Sequence, residues 1–252
     1  MQTSKRIFFL FLYTLFACLI VYIARPPYSL NIVIVYAPPL LINTKWISKE
    51  KAEKLLLFAL VTTVFWALPV EIISRLADSW DVASDFPRIL KVAPIENLLY
   101  AFINFLWPLV FYESFIDRDK NTKIPHRFFI LLMTYMVFFF TSMPILILKP
   151  TLLSLDYWII GLLFVIGPFI ILSVYMPKVL RKTIVPTLFF GIVFLIHELV
   201  SMEIGHWYWP GEYLLTTSLF GSLFPVDDII IWYIFSTPVL LMGYELFLED
   251  KK

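Results

Sequence analysis

Charged residues, cysteine, histidine and glycine are all scarce in this chain. Charged residues make up 15% of its 252 residues and hydrophobic residues 60%, whereas roughly a quarter of an ordinary soluble domain is charged. This amount of polar surface is too small to cover a globule in water. Lipid must therefore solvate much of the chain. Lipid restricts a chain to helices or a closed barrel, because every backbone polar group must be paired internally. The apolar runs are continuous rather than alternating, which favours helices.

The other scarcities exclude several kinds of site. Cys18 is the one cysteine and the three histidines are scattered, which excludes a disulfide within the chain and predicts no metal site. The seven glycines form neither GxGxxG nor GxxxxGK[ST], so we expect no classical nucleotide or flavin site and no cofactor. The net charge of +1 comes without a basic face, which argues against a nucleic-acid partner.

Eight apolar runs have a length near that of a membrane-spanning helix. They predict an all-α bundle of about eight transmembrane helices in the lipid bilayer. The first run follows Lys5 and Arg6, and no small-residue cleavage pattern follows it, so we expect it to be a retained helix. The runs cover residues 7–23, 28–43, 55–76, 94–116, 127–148, 155–176, 184–203 and 225–247.

Basic residues are unevenly distributed between the two sets of alternate loops. Fifteen of the twenty Lys and Arg residues lie at the termini and in the loops at 44–54, 117–127 and 177–183, and five lie in the other loops. Basic loops are retained in the cytoplasm. We therefore predict a multi-pass protein of the cell membrane, with an even number of crossings and both termini in the cytoplasm.

Five short patterns occur twice, in the same order, 127 to 139 residues apart. This duplication predicts two tandem four-helix repeats, residues 1–121 and 122–252, with the same orientation in the membrane. The paired patterns are Val35-Tyr36-Ala37-Pro38 with Val174-Tyr175-Met176-Pro177; Glu71 and Trp80 with Glu198 and Trp207; Pro94-Ile95-Glu96-Asn97 with Pro225-Val226-Asp227-Asp228; Pro108 with Pro238; and Tyr112-Glu113 with Tyr244-Glu245.

The order of these patterns resembles that of the membrane-integral, flavin-independent lycopene cyclases. In both halves a carboxylate ends one helix, a Trp-containing polar loop follows, and a proline with acidic residues opens the next helix. Family members carry a Pro-Ile-Glu-Glu-like motif in each half. This chain differs from that motif at Asn97 and at Asp227-Asp228. The resemblance covers both halves.

This resemblance implies an intramolecular lyase or isomerase that cyclises the end group of a linear, membrane-dissolved carotenoid or other isoprenoid. An acid protonates a terminal double bond, the cation closes a ring, and a base removes a proton, so no redox cofactor is needed. The site requires an acid that keeps its proton, a nearby base and a dry cavity whose aromatic faces stabilise a cation.

Helix position divides the candidate catalytic residues, which are Glu71, Glu96, Glu198, Asp227 and Asp228. Glu96 and Asp227 lie in first turns, where the helix dipole favours a carboxylate, and Glu71 and Glu198 lie near helix ends, where it does not. We therefore expect Glu71 or Glu198 to be the proton donor and Glu96 or Asp227 to be the base or to position it. The candidate substrate-binding residues are Asn97, Trp80, Trp207, Tyr208 and Trp209.

Each of these residues also has a structural interpretation. Glu96 and Asp227 are typical of ordinary helix starts after proline. Glu71 is one turn from Arg75 and could pair with it, while His197 and Glu198 could bond to neighbouring helices. Tryptophans and tyrosines near helix ends are typical of an interfacial aromatic belt. Proline kinks at Pro108, Pro144, Pro168 and Pro238 could open a cavity.

Two other functions remain open from the sequence. Repeats and kinked helices with acidic residues are also transporter features, although here the acids cluster at one face. Asn97, in place of a second acid, is compatible with a non-catalytic isoprenoid-binding partner subunit. The sequence leaves open whether the chain acts alone or as a homo- or hetero-oligomer.

Overall fold

In a computed structural model, seven long helices organise the residues that the structure describes. The structure describes residues 3–117, 157–219 and 221–247, together with seven helical positions between 130 and 148. The long helices are α1 (Thr3–Ala24), α2 (Tyr28–Thr44), α3 (Lys49–Leu76), α4 (Ile95–Asp117), α5 (Tyr157–Tyr175), α6 (Pro177–Glu203) and α7 (Val226–Phe247).

Most helix starts follow local chemistry. The side chain of Ser48 caps α3 by accepting a hydrogen bond from Lys51 N at 3.2 Å. Pro27, Pro94 and Pro225 immediately precede α2, α4 and α7, where a missing N–H group costs nothing because the first turn has no intrahelical acceptor for it. α6 begins at Pro177, seven residues before the predicted run, because the basic first turns lie outside a purely apolar window.

Six of the described helices are long and apolar enough to cross a membrane. They are all of the long helices except α2, which is apolar but only 17 residues long. The all-α class is confirmed by these helices, which indicate a membrane protein. The run at 127–148 and the repeat boundary at 121–122 lie largely or wholly outside the described residues.

Three of the described helices contain wide, π-type turns just before a proline. These turns span Thr63–Ala67 in α3, Leu162–Ile166 in α5 and Ile229–Phe235 in α7, and the prolines are Pro69, Pro168 and Pro238. A proline leaves the carbonyl four residues earlier without its helical donor. At Pro168 that carbonyl, Phe164 O, accepts a hydrogen bond from Trp66 Nε1 of α3 at 3.1 Å. The irregular turn of α5 is therefore bonded directly to α3.

Short strands lie at the ends of helices α3, α4, α6 and α7. β1 (Asp81–Val82) pairs antiparallel with β4 (Trp207–Tyr208), and so joins the loop after α3 to the loop after α6. β2 (Arg88–Ile89) pairs with β3 (Ala93–Pro94), and β5 (Thr216–Leu219) pairs with β6 (Ser222–Pro225). Each of these two hairpins leads directly into a helix, α4 or α7.

The opposite end of the bundle is held by reciprocal bonds between α4 and α7. Tyr112 donates to Glu245 at 2.5 Å, and Tyr244 donates to Glu113. Each glutamate also faces a lysine: Lys51 is 3.2 Å from Glu113, and Lys182 is 3.9 Å from Glu245. Each half of the chain therefore supplies the tyrosine that binds the other half's glutamate.

Candidate functional site

A long cavity of about 810 Å³ lies between helices α3 to α7. α3 lines it from Leu57 to Glu71, a length of about 21 Å at about 1.5 Å per residue. α7 lines it from Asp228 to Phe247. Most of the lining is apolar, and the carboxyl groups of the lining lie together at the end near the β-strands. This shape and polarity suit a long apolar molecule with one end at the acids.

Two helical segments that line the cavity carry exposed side chains, most of which are apolar. In α3 and in the helical positions between 130 and 148, residues four apart both line the cavity and remain exposed, so the cavity opens sideways between these segments. In a membrane this opening would face lipid. The residues are Leu57, Val61 and Phe65 on one side and Met133, Val137 and Thr141 on the other.

The ends of α3 and α6 have the same backbone geometry and bring Glu71 and Glu198 to this end of the cavity. Ser79 N bonds to Ser74 O at 2.8 Å after α3, and His206 N bonds to Ser201 O at 2.7 Å after α6. Such helix ends need one residue in the left-handed region. Asp78 takes this place after α3 with φ of 50°, and Gly205 takes it after α6 with φ of 80°.

Glu71 is buried and saturated with donors. It accepts hydrogen bonds from Arg75 Nε at 2.6 Å and Trp80 Nε1 at 3.0 Å, and from Asn97 Nδ2. Arg75 also donates to Trp80 O and to Asp81. Glu71 is therefore the anionic member of a buried ion pair, the structural interpretation that its spacing from Arg75 had offered.

Glu198 has a different environment. It is 3% exposed, and its carboxyl group lies beside that of Asp228, which is also buried. Among the described residues no Lys, Arg or His forms an ion pair with either group, and Oε1 of Glu198 has no hydrogen-bond partner. Two buried carboxyl groups in contact cannot both be ionised without a large cost. One proton is therefore shared between Glu198 and Asp228.

Asp228 is connected to two aromatic side chains. Tyr157 Oη donates to Asp228 Oδ1, and Trp232 Nε1 donates to Tyr157 Oη at 2.8 Å. The indole ring of Trp232 lies 5.8 Å from the rings of both Trp66 and Trp80. Indole faces attract a cation by about 0.5 to 2 kcal/mol each.

Glu96 and Asp227 do not line the cavity. Glu96 accepts hydrogen bonds from Asp85 N at 2.5 Å, Phe86 N at 2.8 Å and Ser84 Oγ at 2.9 Å. Asp227 accepts them from Leu214 N at 2.8 Å and Leu215 N at 2.9 Å. In both halves the first acid of the motif therefore anchors the loop that precedes its own helix. The neighbouring residues, Asn97 and Asp228, reach the cavity.

Of the predicted aromatic binding residues, three line the cavity and one does not. Trp80, Trp207 and Trp209 line the acid end of the cavity, and the rings of Trp207 and Trp209 stack 5.8 Å apart. Tyr208 is 48% exposed, donates to Gly205 O at 2.5 Å and does not reach the cavity.

A separate buried network lies behind Glu198. Asn31 of α2 donates to Ser201 at 2.9 Å and contacts His206 Nδ1 at 3.0 Å, and its Oδ1 lies 3.1 Å from His197 Nε2. An amide oxygen only accepts, so His197 carries its proton on Nε2. Burial is the main reason that the pKa of His206 lies below its usual range. His206 therefore accepts through Nδ1 as a neutral ring. This network ties α2 to α6.

Sequence reasoning missed three residues of the site: Tyr157, Trp232 and Trp66. Each lies inside an apolar run, where an aromatic residue is ordinary, and none belongs to a duplicated pattern. Among the described residues no group of three or more His, Cys, Asp and Glu is placed to hold a metal ion. Comparisons with protein-family models, curated proteins and solved structures give no match to this chain.

Proposed function

We propose that this protein is a membrane-integral enzyme that protonates the end group of a long, lipid-dissolved polyene and returns an isomer, as a carotenoid cyclase of the lycopene type does. One observation carries the proposal: two buried carboxyl groups, Glu198 and Asp228, lie together at the end of a long apolar cavity, and neither forms an ion pair among the described residues. An acid without a counter-charge in an apolar, indole-lined pocket suits the protonation of a carbon–carbon double bond.

The surroundings of the pair support each requirement of this reaction. The sideways opening between α3 and the side chains of Met133, Val137 and Thr141 gives a lipid-dissolved molecule a route that avoids water. Trp66, Trp80 and Trp232 supply ring faces for a developing carbocation. The second carboxyl group accepts the proton that leaves when the cation collapses to an alkene. Since the proton is returned, the reaction needs neither an oxidant nor a cofactor.

The proposal includes the arrangement predicted from the sequence: eight spans, two tandem four-helix repeats, and both termini in the cytoplasm. The matching ends of α3 and α6 and the reciprocal Tyr–Glu bonds between α4 and α7 support a duplication. Reporter fusions test the orientation. A cytoplasmic fluorescent protein is expected to be active at either terminus, and a periplasmic phosphatase active at the C-terminus would contradict it.

The first experiment is expression in a bacterium that accumulates lycopene, with chromatography and mass analysis of the pigments. We expect a product of unchanged mass and blue-shifted absorption, because ring closure twists the ring double bond out of the conjugated chain or removes it from conjugation. Glu198→Gln is expected to abolish that product, since a general acid contributes about 10²–10⁴-fold. Unchanged lycopene, with the protein present in the membrane and no other isoprenoid converted, would overturn the proposal and favour transport or a non-catalytic partner role.

A further inference from the structure

The two carboxyl groups of the pair are not equivalent in their hydrogen bonding. Asp228 Oδ1 accepts the hydroxyl proton of Tyr157. Glu198 Oε1 is buried and receives no hydrogen bond from the described residues. A hydrogen bond to a carboxylate stabilises its charged form, and an anion without donors is costly to bury. The shared proton is therefore expected to reside on Glu198.

The direction of the hydrogen bond from Tyr157 is fixed by its other neighbour. An indole N–H only donates, so Trp232 Nε1, at 2.8 Å, must donate to the oxygen of Tyr157. The hydroxyl proton of Tyr157 is thereby left to point at Asp228. The chain of donors runs one way, from Trp232 through Tyr157 to Asp228, and it ends on a carboxyl oxygen that acts as an acceptor.

We propose that Tyr157, oriented by Trp232, is the positioning residue that fixes the roles of the two acids: Glu198 is the proton donor and Asp228 is the base. The catalytic consequence of this inference rests on the proposed function, whereas the location of the proton does not. Tyr157 keeps its own proton throughout. Its role is to hold Asp228 as the ionised partner before the substrate arrives.

The proposed reaction cycle consumes no net proton and returns both acids to their starting states. The O–H bond of Glu198 breaks, its proton adds to one carbon of the terminal double bond, and a carbocation forms. The cation is attacked by a second double bond of the same chain and closes a ring. A C–H bond next to the new cationic centre breaks, its electron pair forms an alkene, and its proton goes to Asp228. Transfer of that proton to Glu198 restores the starting state.

Infrared spectroscopy of the protein in lipid vesicles, without substrate, tests where the proton lies. A protonated carboxyl group has a carbonyl stretch distinct from that of a carboxylate, and the stretch shifts in D₂O. We expect Glu198→Gln to remove one such band and Asp228→Asn to keep it at a shifted frequency. Tyr157→Phe is expected to weaken the band and to produce a second one as the proton distributes over both acids. Trp232→Phe is expected to change the carboxyl band in the same direction. It replaces Tyr157→Phe in this test if that variant fails to fold.

Tyr213→Phe is the matched control, because the Tyr213 ring packs 5.3 Å from that of Tyr157 but its hydroxyl donates to Ser79 O. It is expected to leave the band unchanged. A band that survives in Glu198→Gln and disappears in Asp228→Asn would overturn the inference, as would a band that is indifferent to both Tyr157→Phe and Trp232→Phe.

The activity of the same variants separates this inference from the proposed function. If the wild-type protein converts lycopene, Tyr157→Phe is expected to lower kcat about tenfold and leave KM nearly unchanged, since the tyrosine acts on the acids and not on the bound chain. Equal losses in Tyr157→Phe and Tyr213→Phe would reduce Tyr157 to a packing residue. If the wild-type protein converts no isoprenoid while the bands behave as expected, the proposed function fails and the proton assignment stands.

Discussion

The two halves of the chain bring a glutamate to the same place at the end of one cavity and give it opposite surroundings. In the first half Glu71 faces Arg75, Trp80 and Asn97, all of which donate to it. In the second half Glu198 faces Asp228. Met202 occupies the position that corresponds to Arg75, since both lie four residues after the glutamate. One glutamate is neutralised by a cation, and the other by a proton.

This difference shows how one backbone arrangement can serve stability on one side and chemistry on the other. The ion pair of Glu71 holds the loop that carries Trp80 and Asp81, because Arg75 also binds both of those residues. A buried ion pair binds its charges firmly and leaves no proton to donate. The carboxyl pair has a proton and no such anchor, so its loop must be held by other contacts, among them Asp227 and the β1–β4 pairing.

The largest expected effect comes from giving the second half the first half's cation. Met202→Arg places a guanidinium group one turn after Glu198, where it is expected to ion-pair as Arg75 does with Glu71 at 2.6 Å. The acid would become an anion, and conversion of the polyene is expected to fall about 100-fold or more, with no loss of thermal stability. Product analysis and thermal unfolding in detergent measure the two effects. Met202→Leu is the control. Full activity in Met202→Arg would contradict the proposed difference between Glu71 and Glu198.

The reverse change is expected to affect stability rather than chemistry. Arg75→Met leaves the carboxylate of Glu71 buried without its cation, which costs about 3–5 kcal/mol when one member of a buried pair is removed. The measurement is the free energy of unfolding, or the amount of folded protein in the membrane. Adding Glu71→Gln to Arg75→Met removes the orphaned charge and is expected to restore part of the stability. A double variant less stable than Arg75→Met would contradict this account.

A smaller effect, equal in both halves, is expected at the loop anchors. Glu96→Gln and Asp227→Asn each replace a carboxylate oxygen that accepts backbone N–H groups, and each is expected to cost about 1–3 kcal/mol and to make its own loop more susceptible to protease. Activity is expected to fall only as far as folding does. If Asp227→Asn abolished conversion without loss of stability, Asp227 would be the base that the sequence-based hypothesis made it.

The smallest effects are expected at the far end of α4 and α7. Tyr112→Phe and Tyr244→Phe each remove one hydroxyl that donates to a glutamate of the other half, and each is expected to cost about 1.5 kcal/mol. Thermal unfolding of the two single variants and the double variant measures them. Similar values for the two variants are expected from the reciprocal geometry, and a large difference between them would show that the halves are not equivalent at this end.

The fold was more accessible from the sequence than the site. Apolar runs predict helices because the requirement of lipid for internally paired backbone acts on every residue of a run, and α1, α2 and α4 begin and end close to the predicted positions. Glu71 and Glu198 were also identified, because their duplication marked them. The pairing of Glu71 with Arg75 follows from their one-turn spacing, but the surroundings of Glu198 depend on Asp228 and Tyr157, which meet it only in three dimensions. Likewise, whether Glu96 or Asn97 reaches the cavity depends on which way the first turn of α4 faces.

If the protein acts as proposed, the cavity also determines how many ends of a substrate are processed in one visit. A space of about 810 Å³ with one carboxyl pair at one end receives one end group, and the rest of a long polyene occupies the channel or remains in lipid. A symmetrical molecule must leave, turn round and enter again before its second end reaches Glu198. Under the proposed function, we therefore expect conversion to be distributive rather than processive, with the singly converted compound accumulating before the doubly converted one.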